Sequence, residues 1–172
     1  MIINASPLII FGKLNRLSIL MEFYKNLEIT SKVYEEVVLK GIEQNASDAF
    51  VVKQYIDNKE IKIFNLDKKF LDVAAKIQMV YNLDIGEAET IALALQLTQK
   101  EIIIDEIAAR ESAETFGIRP VGSLRVLLIA YQKNLINKGE INALIAKMQD
   151  FKYRFSPKVL IKFWKLLEKM KR

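Results

Sequence analysis

The sequence predicts an α/β protein: a three-layer sandwich whose short, mainly parallel sheet is flanked by helices, followed by a helical C-terminal extension. Three observations carry this expectation. Short β-branched apolar runs alternate with helical patterns as far as about position 121. The runs are continuously apolar, as in strands buried on both faces of a parallel sheet. Beyond position 121 the chain reads as helical throughout. With 172 residues, 51% of them hydrophobic, the chain can bury one sizeable core. Three prolines, six glycines and no low-complexity stretch mark no internal linker. One α/β domain is therefore expected over residues 1–136, with residues 137–172 forming helices packed on it.

The elements run in order along the chain. Strands are expected at residues 1–4, 27–30, 60–64 and 101–105, with a fainter run at 118–121. Ser6 before Pro7 reads as a cap with proline in the first turn, and Ser31 opens a helix that closes near Gly41. Asp84 and Glu87 have capping-box spacing ahead of Ala88, Ile91, Ala92 and Leu95, which recur on one helical face. A further helix is expected over residues 107–116, stopped by Gly117. The last one, over residues 156–172, gathers Leu160, Phe163, Trp164 and Leu167 on one face and turns Lys158, Lys162, Lys165 and Lys169 away from it. Strand and helix in alternation imply right-handed crossovers.

Composition narrows the chemistry. The chain has no cysteine and no histidine, which removes disulfides, thiolate nucleophiles, sulfur-ligated zinc and the commonest general base. Carboxylates, hydroxyls, amides and lysines remain. The 26 Lys and Arg against 21 Asp and Glu give a net charge of +5, a modest bias toward a polyanionic partner. No apolar stretch of about 18 residues occurs, and the start has no basic region followed by a signal-peptide core. A soluble, cytoplasmic protein is expected, without membrane attachment.

Two strand runs end in a polar residue that begins a turn: Asn4 after Ile2-Ile3, and Asp105 after Ile102-Ile103-Ile104. Sites in open α/β sheets form beyond the carboxyl ends of strands, and the helix start at Glu87 and Glu89 can face the same crevice. Converging carboxylates repel one another until a proton or a hard cation relieves them. Without histidine or cysteine, magnesium or manganese is the expected tenant. Such an ion lowers the pKa of a bound water and stabilises charge on a phosphodiester during in-line displacement, which is nuclease chemistry.

Four blocks then resemble a known family. Asn4-Ala5-Ser6-Pro7-Leu8-Ile9, Tyr34-Glu35-Glu36-Val37, Leu83 to Ala94 with Asp84-Ile85-Gly86-Glu87-Ala88-Glu89-Thr90, and Ile102-Ile103-Ile104-Asp105-Glu106-Ile107-Ala108-Ala109-Arg110 resemble, in that order, the blocks of PIN-domain proteins. The likeness is to a branch of predicted nucleic-acid-binding proteins related to the VapC toxins, and it continues through Gly117 and Gly122-Ser123-Leu124 to about Ile136. The resemblance implies a PIN-like sandwich, a magnesium or manganese site and cleavage of single-stranded RNA. It also implies a toxin held inactive by a small cognate antitoxin protein, and a homodimer. Carried over residue by residue, it puts catalytic and metal-binding roles on Asn4, Glu36, Glu87 and Asp105, with Glu89 and Glu106 as further metal ligands. Ser6, Arg110 and Ser123 would meet the substrate. Asn4 departs from the aspartate usual there, and its neutral oxygen holds a divalent cation less strongly. Arg125 also departs, standing where a small residue is expected.

Each of these residues has a plainer use. Glu87 can simply close the capping box with Asp84, and it lies about 200° around the helix from Glu89, so the two cannot point equally at one ion. Glu36 can pair with Lys40, Asp105 can cap the next helix, Ser6 and Ser123 can be cap or turn residues, and Arg110 can pair with Glu106. The lysine-rich last helix can pack on the domain, guide RNA phosphates or lie on an anionic membrane. A weakened PIN-fold module that binds RNA or a protein without cutting is therefore the competing reading. An α/β domain whose acids are all caps and surface pairs is the third.

Overall fold

A computed structural model describes residues 1–170 of the chain. It forms two compact units, residues 1–122 and residues from Ser123 onward.

The first unit is built on five strands: β1 (Ile2–Ile3), β2 (Leu27–Thr30), β3 (Ile61–Phe64), β4 (Glu101–Ile103) and β5 (Arg119–Val121). All pair in parallel, in the order β3-β2-β1-β4-β5. Every expected strand is present. The order has a consequence for function. From the central β1 the chain winds outward through β2 and β3, then returns to β4 and winds the other way, so the sheet's switch point lies between β1 and β4. Connections leaving adjacent strands in opposite directions open a crevice at those strands' carboxyl ends.

The core is laid out by strand alternation. Ile2, Ile102 and Ile104 point to one face, where α7 (Ile85–Gln96) lays Ala88, Ile91, Ala92 and Leu95 over them beside α6 (Lys68–Tyr81) and α8 (Ile107–Thr115). Ile3 and Ile103, also fully buried, point to the other face, the side of α1 (Ala5–Lys13) and α5 (Ser47–Asp57). Burying each such isoleucine is worth roughly 1.5–3 kcal/mol. Two small helices, α2 (Leu17–Met21) and α3 (Ser31–Tyr34), complete the first half. Of α2, α5 and α6, only α6 has an N-cap residue of capping type, Asp67, and its side chain makes no cap bond.

Helix ends depart from expectation in instructive ways. The N-cap of α1 is Asn4, not Ser6, because β1 stops at Ile3 and the backbone already turns there; Ser6 sits exposed in the first turn. Ser31 opens α3 as expected, and Thr30 before it is the cap, its hydroxyl accepting the Val33 N–H at 3.2 Å. The helix then runs past Gly41: α3 continues through a π-helical segment, Glu35–Leu39, into α4 (Lys40–Glu43). The expected capping box at Asp84 and Glu87 is present, and Gly117 with φ +70° ends α8 as expected.

The second unit is helical: α9 (Ser123–Gln132), α10 (Lys138–Asp150) and α11 (Pro157–Lys169). Both α10 and α11 pack against α9. Ser156 caps α11, and Phe163 and Leu167 are buried. Lys171 and Arg172, included in the expected last helix, lie outside the described residues. Among the described residues no helix is long and apolar enough to cross a membrane.

Candidate functional site

The carboxyl ends of β1 and β4 hold the first two predicted residues side by side. The strands pair Ile3 with Ile103, and the Asn4 N–H extends the ladder by donating to the Ile103 carbonyl at 2.9 Å. Asn4 is 4% exposed. Its side chain makes no cap bond; instead Oδ1 accepts from the Thr90 hydroxyl at 3.1 Å. Thr90, fully buried on α7, also donates to the Gly86 carbonyl one turn back at 2.7 Å. The amide of Asn4 is thereby tied to the first turn of α7.

That first turn carries Glu87. One of its oxygens accepts the Asp84 N–H at 3.1 Å, so the capping role is real, and a carboxylate retains further lone pairs for a second partner. Partial burial raises the Glu87 pKa most. The Asp84 N–H bond works against that rise, while the charges of Asp84, Glu106 and Glu36 add to it.

Glu36 arrives from the π-helical segment, with one oxygen 3.4 Å from the position a Cβ on Gly86 would take. A π-turn inserts one residue into a helix and re-aims the side chains beyond it, and such turns recur at functional sites. Although Glu36 stands at the surface, partial desolvation raises its pKa; Lys40 opposes the rise, Asp84 adds to it and Lys32 opposes it.

Asp105 does not cap α8; that position is Glu106, which is exposed and makes no side-chain cap bond. Asp105 Oδ1 and Arg110 Nη1 instead lie 3.1 and 3.0 Å from where a Cβ on Gly122 would stand, so the glycine admits both ends. Arg110 Nη1 also donates to the Ile104 carbonyl at 3.1 Å. Glu89 faces a different neighbourhood from Glu87. Desolvation raises its pKa first, opposed by hydrogen bonds from the Thr30 hydroxyl and the Lys32 backbone and by the Lys32 charge. Ser123 is buried as the first residue of α9, in the second unit.

The fold thus draws Asn4, Glu36, Glu87, Asp105 and Glu106 toward the switch-point crevice and turns Glu89 to the β2–α3 junction. Thr90 and Gly86 were not assigned roles from sequence. A threonine set among the apolar residues of a helix was the available signal, since a buried hydroxyl needs partners.

The donor set fits a hard divalent cation in its chemistry, because every candidate is an oxygen and two of the carboxylates are held with raised pKa. Among the described residues no three acidic side chains close into a ready-made cage. A small ion that keeps waters and takes one or two carboxylates suits that arrangement better than one needing an all-protein shell.

A family model described as a PIN domain matches residues 1–169. No curated protein and no solved structure is matched. With the parallel sheet, the crevice between β1 and β4 and the acidic residues around it, the match over nearly the whole chain establishes that the protein belongs to the PIN-domain family, whose function is of the nuclease type.

Proposed function

We propose that this chain is an endoribonuclease that cuts single-stranded RNA with the help of magnesium or manganese. The observation that carries the reading is the pair Glu36 and Glu87. Two carboxylates from separate elements meet at the first turn of α7, both with a pKa raised first by desolvation, and the charges of Asp84, Glu106 and Glu36 add to the rise at Glu87. A cation relieves that repulsion.

Glu36 and Glu87 would hold the ion with Asn4 and Asp105, Glu106 supporting them, while Glu89, turned to the β2–α3 junction, stands outside this set. When bound, the ion lowers the pKa of a water and stabilises the charge that builds on a phosphodiester. The chain's own groups do the positioning. Glu87 stays anchored through the Asp84 N–H, and Thr90 holds the Asn4 amide in place. Arg110, whose end shares the space over Gly122 with Asp105, would offer positive charge to a substrate phosphate, and the exposed Ser6 a hydroxyl. On family grounds we read the protein further as the toxin of a toxin–antitoxin pair, a cytoplasmic homodimer silenced by a small cognate protein.

A second reading is a weakened PIN module that binds RNA or a protein without cutting. It is favoured by the amide at position 4, whose oxygen is already engaged by Thr90. One experiment separates the two: purified protein and Asp105→Asn are incubated with single-stranded RNA and manganese or magnesium. Cleavage that a chelator stops and the variant lacks supports the enzyme. Equal cleavage by both proteins sinks it, and tight binding without cleavage selects the module.

A further inference from the structure

Nothing in the chemistry above uses the outer face of α11. At 100° per residue, Lys158, Lys162, Lys165 and Lys169 fall within an arc of roughly 60°, on the side away from the buried Phe163 and Leu167. All four are exposed and line one shallow depression, with Ile161 and Leu166 as its shoulders. Among the described residues none of the four is ion-paired. The 1.5 Å rise per residue makes them a straight row about 16 Å long.

Like charges one turn apart repel, and among the described residues no acid forms an ion pair with this row. The complement of a line of cations is a linear polyanion. A membrane fits less well, since a surface helix buries its apolar face in the lipid, and the aromatic face of α11 is turned inward. A protein interface also fits less well, because lysine is depleted at interface cores and here lysine occupies the centre. A phosphate backbone needs only such point charges and makes no demand on base identity.

We infer that the lysine row of α11 is a sequence-independent track for the phosphate backbone of single-stranded RNA, distinct from the carboxylates around Glu36 and Glu87. The ribonuclease reading enters only in the choice of RNA as the polymer. Binding of a labelled oligouridylate of about 20 nucleotides to the whole chain is measured by anisotropy, with chelator present so that nothing is cut, across a salt series. Lys158→Gln, Lys162→Gln, Lys165→Gln and Lys169→Gln are combined, glutamine matching lysine in helix propensity. Affinity near 0.1 M salt is expected to drop about tenfold or more, and the log–log salt slope to become shallower by about 3, at roughly 0.7 per phosphate contact. The same four positions changed to arginine should bind like the unmodified protein.

A loss smaller than about twofold, or an unchanged slope, overturns the inference. So does equal failure of the arginine variant, which would mean a damaged helix. Capture by phosphatidylserine vesicles through these lysines, with RNA binding untouched, overturns it in favour of a lipid surface. The two readings separate cleanly. Lysine-dependent binding in a protein that never cleaves leaves the track standing and removes the ribonuclease, whereas cleavage without lysine-dependent binding does the reverse.

Discussion

Thr90 has one proton and two acceptors. Its hydroxyl, 2.7 Å from the Gly86 carbonyl and 3.1 Å from Asn4 Oδ1, joins the first turn of α7 to the end of β1 inside the core. Thr90→Val keeps the shape and removes the donor, so the buried Asn4 oxygen is stranded. Denaturant unfolding should show a loss of about 1–3 kcal/mol, largely restored in Thr90→Ser. A Thr90→Val variant as stable as the parent would show that the hydroxyl contributes nothing. Glu87 gives a sharper test. Glu87→Gln keeps an acceptor for the Asp84 N–H while removing the charge. Because the folded protein holds this carboxyl's pKa above its unfolded value, its charge opposes folding once pH rises past the unfolded pKa, and the penalty is complete above the raised one. The variant should therefore match the parent well below pH 4 and exceed it at neutral pH by a few tenths to about 1 kcal/mol, allowing for solvent screening at a half-exposed group. Its RNA cleavage should fall roughly 10²-fold. A variant less stable at neutral pH than its parent would contradict the electrostatic account.

At the scale of elements, the helix leading to the site is two short α-helical pieces joined by the π-helical segment Glu35–Leu39. Its register is locked on both sides. Val33, Val37 and Val38 are buried, and Gly41 meets α5 so closely that a Cβ there would stand 2.6 Å from the Ala49 Cβ. Gly41→Ala should thus force the two helices apart and lower stability by about 1–3 kcal/mol in thermal or denaturant melts, despite alanine's better helix propensity. A stabilised variant would show that the helix yields instead. Apolar runs revealed the five strands, and the Asp84–Glu87 spacing revealed the start of α7. The π-turn left no such mark, because one extra residue in a helix changes neither composition nor the apolar face before it. The cap of α1 was displaced for a related reason. Ser6-Pro7 is a good local signal, yet the strand's end at Ile3 fixes the turn two residues earlier.

For the molecule as a whole, ion binding and folding are linked. A cation held at Glu36 and Glu87 stabilises the folded chain by mass action, about 2.7 kcal/mol at a hundredfold excess over its dissociation constant. For a chain of this size that is a rise of roughly 5–10 °C in melting temperature with manganese or magnesium, reversed by chelator. The rise should vanish in the Glu36→Gln, Glu87→Gln double variant. A melting temperature indifferent to saturating manganese would count against the proposed metal site and leave the binding module ahead.

The sequence by itself determined the fold class, the strand runs, the polar ends at Asn4 and Asp105 and the exclusion of histidine and cysteine chemistry. These depend on local periodicity and composition, which a chain carries whatever its partners. Only the tertiary structure decided which acids meet. Glu87 and Glu89 are two residues apart, yet one faces the charges of Glu36 and Glu106 and the other the Thr30 hydroxyl and Lys32. That choice is made by how α7 rotates when it packs on β1, β2 and β4, a matter of long-range burial that no window of sequence contains.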